Sequence, residues 1–406
     1  MTNKPLLLAE AVTRMVGAAT CSVGKESVAL HDAHGRVLAD SIAATLDVPP
    51  WDNSAMDGYA VQSSDAGKAL PVSQRVFAGD FPEPQTPNSC CRLFTGAPLP
   101  PGTDAVVPQE QMEILDDKHV RVPADVKPGQ HIRRQGADVK VGDILLQSGS
   151  RLRPADLGVL ASQGLAQLAV RRPLQVAVIN TGDELREPGT GSLELGSIYN
   201  SNSPMLCSTL ESWGCEVSLN LIVRDSLTAL REALKEAARC SDLIIASGGA
   251  SVGEADLMRD ALTDLGQIEF WRIAIKPGKP FTFGFAEQKP LIGLPGNPVS
   301  AYITLLLVAR PFVHLLQGRS PVKPRTLMAR AGFSVSRPRD RLEFLRVELK
   351  SGPSEFSPPT AHLYPDQSSG VLRSLSVSDA LAEVPIGTIV EEGEWIKTLP
   401  LDGFLW

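Results

Sequence analysis

The chain has 406 residues, too many for one hydrophobic core, so roughly two to four domains are expected. Apolar residues make up 43% and charged residues 21%, the balance of an ordinary soluble globular protein. The formal net charge of -7 argues against nonspecific nucleic-acid binding, but leaves room for a small anion in a locally basic pocket.

The N-terminus "MTNKPLLLAEAVTRMV" has a short apolar core broken by Glu10, which is not a signal-peptide pattern. Residues 6–20 read instead as an amphipathic helix. From about Tyr59 to Leu146 the short runs "CRLFTG", "DAVVPQ" and "HVRVPA" are separated by Pro, Gly and Asp, which predicts a small β-rich domain. "RPADLGVLASQG" predicts a helix opened by Pro154 and closed by Gly164. From Leu174 the rhythm changes. "LQVAVI", "EVSLNLIV", "DLIIAS" and "PLIGL" read as strands, and helical stretches alternate with them. One of these, "SLTALREALKEAAR", has Ser226 as its expected cap and Leu227, Leu230 and Leu234 on one face. Such alternation predicts βαβ units and a parallel sheet. The apolar helix "AYITLLLVARPFVHLL" contains Arg310, Pro311 and His314, too many interruptions for a membrane span. After about Pro321, "RTLMARAGFSV", "LEFLRVELK" and "GTIVEEGEWIKTL" predict a separate C-terminal β-domain. The six cysteines form no CxxC or zinc spacing and read as free thiols, so a cytoplasmic location is expected.

Ligands of an open parallel sheet bind beyond the carboxyl ends of its strands. "NTGDEL", "RDS", "SGGASVGEAD" and "GLPGNP" each follow a strand, so four loops converge on one edge. One Gly-rich loop alone would be a tight turn; four together point to a site. "TGDE" and "SGGAS" offer backbone N–H groups and hydroxyls to phosphate oxygens, with helix N-termini behind them. Asp183, Glu184, Asp225, Glu254 and Asp256 add carboxylates, which repel a phosphate unless a divalent cation lies between; magnesium suits that place. Helix capping is the alternative for Glu254 and Asp256. In "IKPGKPF" Lys276 and Lys279 flank a Pro-Gly turn, either a solvated turn or a second anion pocket. "PPWDNSAMDGYA" and "RLFTGAPLPPGTDAVV" read by spacing as Asx-turn and loop chemistry.

"DNSAMDGYA", "TGAPLPPGTDAVV", "TGDEL", "SGGASVGEAD", "KPGKP" and "GLPGNPVSA" occur in this order. Together they closely resemble the molybdopterin molybdenumtransferase (MoeA) family, to which the C-terminal part of gephyrin is related. The likeness covers nearly the whole chain, with Ala250 a small departure where many relatives carry a bulkier residue. It implies an α/β plus β fold in an elongated subunit. A linking domain (1–50 with 140–173) and an inserted β-rich domain (51–139) come first. A molybdopterin-binding α/β domain (174–320) and a C-terminal β-barrel (321–406) follow. It implies magnesium-dependent cleavage of adenylylated molybdopterin, insertion of molybdenum from molybdate, and release of AMP.

By the same resemblance, pterin phosphate and adenylate lie over Thr181, Gly182, Asp183, Ser247, Gly248, Gly249 and Ser251, with Pro295, Gly296, Asn297 and Pro298 nearby. Asp225, Asp256 and Glu184 are the expected metal and catalytic acids. Lys276 and Lys279 are expected to bind molybdate, helped by Arg346 and Ser368 or Ser369. Asp57, Thr95 and Gly96 would come from the other subunit of a homodimer, with Arg133, Arg134 and Asp138 weaker candidates. A molybdopterin-adenylylating enzyme and molybdoenzyme maturation proteins are possible partners; nucleic acid and membrane are not expected. Two other readings are a molybdopterin adenylyltransferase and a non-catalytic, gephyrin-like scaffold. The extra domains and "KPGKP" oppose the first, and the full set of acids and lysines opposes the second.

Overall fold

The structure is a computed structural model that describes residues 5–248, 255–320, 322–352, 354 and 357–405, with the backbone alone for Ala255 and Asp256. Six strands form the central sheet: β1 (Leu174–Thr181), β2 (Cys215–Val223), β3 (Leu243–Ser247), β4 (Gly266–Arg272), β5 (Pro280–Ala286) and β6 (Lys289–Leu294). Their order is β2-β1-β3-β6-β5-β4, and the first four run parallel. β3 is buried throughout, as a strand covered on both faces must be.

Helices α1 (Asn202–Ser212), α2 (Leu227–Cys240) and α3 (Ala255–Leu265) cover the sheet. Val176, Val178 and Ile245 face one way, into a core with Leu206, Leu210 and Trp213. Their neighbours Ala177, Ile179 and Ile244 face the other way, against Leu230, Leu234 and Leu262. Each large aliphatic buried here contributes about 1.5–3 kcal/mol relative to exposure. Ser226 caps α2 as expected, accepting from the Ala229 amide at 3.1 Å.

The sequence predicts neither β4 nor β5. β5 is antiparallel to both neighbours, so the sheet is mixed rather than wholly parallel. The turn from β5 to β6 explains why. Glu287 and Gln288 both adopt positive φ, 48° and 65°, the backbone of a two-residue hairpin. Positive φ there usually selects Gly or Asn, and this turn carries neither.

The long apolar helix runs from Pro298 to Leu316 and is mostly buried inside the protein. It widens into a π turn at Leu305–Ala309, just before Pro311, whose ring would clash with the Leu307 carbonyl in a regular helix. Helix Leu8–Ala18 packs Ala11 and Met15 into the same core. The linking segment pairs Lys25–Ala29 with Gln167–Arg171 beside helix Pro154–Ser162. The β-rich segment forms a six-stranded sheet from Gly58 to Arg121. Cys90 and Cys91 are buried there, and burial pushes both thiols up to about 12, so they stay protonated and inert. All six cysteines are free.

At the C-terminus five strands close a barrel. Leu342–Lys350 pairs with both Thr360–Leu363 and Ala380–Val384, and Leu327–Ala331 and Trp395–Pro400 complete the ring. Ile275–Lys276 pairs in parallel with Leu342–Glu343. This pairing joins the barrel to the central domain at the lysine turn.

Candidate active site

The carboxyl ends of β1, β3 and β6 open into a cleft of about 810 Å³. Thr181 ends β1 and Glu184 follows it, Ser247 ends β3 and Gly248 follows it, and Pro295 to Pro298 follow β6. Lys276 to Pro280 form another wall, and the barrel supplies Arg341, Gln367, Ser368 and Ser369. Glycine is required where the loops meet. Gly248 has φ of 97°, and a Cβ on it would lie 2.4 Å from the Thr181 carbonyl oxygen. Gly278, between the lysines, has φ of 115°, and its Cβ would lie 2.4 Å from Thr304 Cγ2.

Side-chain bonds fix these loops. Ser247 Oγ donates to the Pro295 carbonyl at 3.2 Å and accepts from Asn202 Nδ2 at 2.9 Å. Asn202 also donates to the Gly296 carbonyl at 2.7 Å. Asn297 precedes the Pro298 helix yet does not cap it; its amide donates to Ser369 Oγ at 3.1 Å, tying the loop to the barrel. The start of that helix is largely paired within the protein: Pro298 has no N–H, the Val299 amide donates to the Ser369 carbonyl at 3.2 Å, and the Ala301 amide donates to the Asn297 carbonyl at 2.9 Å.

Three cations face the cleft: Lys276, Lys279 and Arg341. Lys276 Nζ lies 3.1 Å from Glu343, a carboxylate buried in the barrel wall and also approached by Arg339 at 3.3 Å. Among the described residues Lys279 has no such carboxylate partner. Arg346 is placed differently from its expected molybdate contact. It is buried behind the wall, donating to Ser374 Oγ, the Asp366 carbonyl and the Ser368 carbonyl. Burial depresses its pKa, and Asp366 partly offsets this. Its guanidinium therefore shapes the loop that delivers Gln367 to Ser369.

The acids divide. Glu184 faces the cleft, whereas Gly182, Asp183 and Asp225 line an adjoining cavity of about 650 Å³. Asp183 and Asp225 each accept from the other's backbone amide at 3.3 Å. Among the described residues no three acids or imidazoles gather as a metal cluster. Gly249, Ala250, Ser251 and Glu254 lie outside the described residues, as does the side chain of Asp256, although its backbone begins α3.

The sequence missed Asn180, Asn200, Asn202, Arg341 and Gln367, all in the cleft lining. The three asparagines and Thr181 carry buried polar atoms without a hydrogen-bond partner. Most buried polar groups are paired, so such a cluster marks a place where a ligand completes the structure. The doubled asparagine in "YNSN" was the available signal.

Three family models match the chain: the MoeA N-terminal region (domain I and II) over residues 6–164, a probable molybdopterin binding domain over 177–315, and the MoeA C-terminal region (domain IV) over 328–401. A molybdopterin molybdenumtransferase of Haemophilus influenzae is 41% identical over 84% of this chain and 85% of its own length. The chain belongs to the molybdopterin molybdenumtransferase family. Molybdopterin molybdenumtransferase 2 of Mycobacterium tuberculosis is 36% identical over 88% of the chain and 90% of its own length. A crystal structure of a molybdopterin biosynthesis moeA protein from Pyrococcus horikoshii superposes with a TM-score of 0.83 at 28% identity, covering 98% of this chain and 100% of its own.

The molybdenumtransferase N-terminal region contains a second constellation. Asn53–Ser54 pairs with Ile132–Arg133, and the Gly96 amide donates to the Ser54 carbonyl at 2.9 Å. "DNSAMDGYA", "TGAPLP" and "IRRQGAD" thus meet in one place. Asp57 accepts from the Thr95 amide at 2.7 Å and its hydroxyl at 2.8 Å, and these bonds hold the Asp57 carboxyl below its usual range. Arg134 pairs with Asp52 at 2.6 Å, and Asp138 is exposed. None of Asp57, Thr95, Gly96 and Asp138 lines the cleft of this chain.

Proposed function

We propose that the 810 Å³ cleft inserts molybdenum from molybdate into adenylylated molybdopterin, with cleavage of the adenylyl anhydride and release of AMP. Family membership carries the coarse activity: a transferase of molybdenum cofactor biosynthesis. The observation that carries the finer reading is the facing of two kinds of wall across one cleft. One wall has the glycine-bearing loops after β1, β3 and β6 for phosphate; the other has Lys276, Lys279 and Arg341 for a compact oxyanion.

In this reading the loop amides hold the bridging phosphates. The lysines hold molybdate beside the dithiolene, and Ser369 closes that end. Glu184, facing the cleft, would accept a proton from the attacking oxygen nucleophile as the anhydride opens. The donors present fit magnesium: hard carboxylates at Asp183 and Asp225, too few for an all-protein cage, which suits an ion completing its shell with phosphate and water. Asp225 and Asp183, with Asp256, would hold it, while Glu184 stands apart in the cleft as the base; when bound the ion would neutralise phosphate charge during cleavage. Asp57 and Thr95 would complete the site from the second subunit of a homodimer. The setting is cytoplasmic, between an enzyme that adenylylates molybdopterin and proteins that receive the finished cofactor.

The test is substrate dependence. Adenylylated molybdopterin with molybdate should yield AMP and molybdenum-loaded pterin, and ATP should not be consumed. ATP turnover would favour an adenylyltransferase, and no turnover with either substrate would favour a scaffold.

A further inference from the structure

The cleft floor is neutral where its wall is basic. Asn180 sits in β1, in register with Ser247 on β3, and is 1% exposed. Neither its Nδ2 nor its Oδ1 has a partner. Asn202 has both amide hydrogens engaged, by Ser247 and Gly296, while its Oδ1 is unpaired. Asn200 accepts from the Ser203 amide and leaves its Nδ2 unpaired. The three asparagines therefore present two orphan acceptors and two orphan donors, beside the unpaired Thr181 hydroxyl, which can serve as either.

A phosphate or molybdate oxygen, which only accepts, can satisfy the donors but places negative charge against Asn180 Oδ1 and Asn202 Oδ1. A ligand edge that both donates and accepts satisfies all of them. A pterin has such an edge: its 2-amino group and ring N3–H donate, and its 4-oxo group accepts. We propose that Asn180, assisted by Asn202, reads this edge and is a specificity-determining residue for the pterin. The inference rests on the insertase reading and deepens it. It assigns the neutral floor to the heterocycle and the basic wall to the oxyanion. The adenylate is then left to the adjoining cavity beside Asp183 and Asp225.

Matched polar contacts discriminate strongly, because an analogue that lacks one leaves a buried group unpaired. The test is a fluorescence titration of the full-length protein with a 6-substituted pterin carrying a phosphate, alongside separate titrations with molybdate and AMP. Asn180→Ala is expected to weaken pterin binding at least tenfold, leave molybdate and AMP within twofold, and not lower the melting temperature. Asn180→Asp presents acceptors only. It is expected to shift preference at least tenfold towards a 2,4-diaminopteridine, a change that a merely structural role would not produce. Pterin binding by both variants within twofold of wild type overturns the assignment, as does a loss confined to AMP. If wild type fails to release AMP from the adenylylated pterin, the insertase reading itself falls. If wild type releases AMP and the variants bind pterin normally, the floor assignment alone falls.

Discussion

Lys276 and Lys279 are separated by one Pro-Gly turn, yet their surroundings make them unequal, and this gives a quantitative prediction. Molybdate is a compact dianion that needs fixed positive charge, and a charge-assisted hydrogen bond contributes about 1.5–3 kcal/mol. Lys279→Ala should therefore weaken molybdate binding about 10- to 100-fold, with little change in stability. Lys276→Ala removes the same kind of contact and also uncovers the buried Glu343 carboxylate beside the cleft. At 3.1 Å, with an effective dielectric of about 20, the gross Lys276–Glu343 attraction is about 5 kcal/mol. Lys276 is half exposed, so solvent screening reduces the net coupling to about 1 kcal/mol, or roughly fivefold in affinity. Lys276→Ala should thus cost more than Lys279→Ala, and adding Glu343→Gln should recover roughly that fivefold. Equilibrium dialysis with labelled molybdate measures each variant, and the phosphorylated pterin is titrated in parallel. Intact molybdate affinity with lost pterin affinity in the double lysine variant would refute the assignment. Equal losses for the two lysines, uncoupled from Glu343, would refute the ion-pair argument.

Chelation should stop AMP release and added magnesium should restore it, with Asp225→Asn raising the magnesium requirement and Asp256→Asn weakening cleavage more than Glu254→Gln; unchanged turnover in excess chelator removes the metal. A pH prediction concerns His314, which accepts from Arg319 at 2.9 Å and meets the Trp213 ring edge-on. Burial, then the charges of Arg319, Arg310 and Arg151, push its pKa down to about 2. The unfolded chain takes up this proton first, near pH 6.5, so stability falls as pH drops below that value, by about 2 kcal/mol at pH 5. Urea melts at pH 7.5 and 5 should show a smaller acid loss for His314→Gln, and identical losses would exclude His314 as the cause.

What was legible in the sequence was local chemistry. The loop after β3 could be read because close backbone approach demands glycine at Gly248, and the cap at Ser226 because one side chain satisfies one amide. What was not legible depends on partners distant in the chain. Arg341 and Arg346 stand five residues apart in one basic segment. Resemblance favoured Arg346, but barrel closure buries it and leaves Arg341 in the cleft lining beside the lysine turn. Asn180 reads in sequence as the first residue of the loop "NTGDEL" after a strand. Its significance lies in the hydrogen bonds it does not make, which only the assembled floor exposes.

The position of the inserted domain supplies the last prediction. Ile42–Ala43 and Ile144–Leu146 pair antiparallel, so the chain leaves and re-enters the linking segment side by side. The β-rich sheet is thus carried as a unit, and its Asp57–Thr95 corner does not reach the cleft of its own chain. If that corner serves a cleft, it serves another copy's, and a two-fold dimer gives two such mixed sites. The consequence is complementation. With molybdate held well below the concentration that saturates Lys279→Ala, Asp57→Asn and Lys279→Ala should each leave a homodimer nearly inactive, one through the corner and one through the cleft. Mixed and re-equilibrated in equal amounts, half the dimers become heterodimers, and each heterodimer has one intact site and one doubly altered site. AMP release should then recover to about a quarter of the wild-type rate, with sedimentation showing dimers throughout. A mixture that stays at the baseline of the single variants, while exchange of labelled subunits is shown to be complete, would mean that corner and cleft do not act across the two-fold.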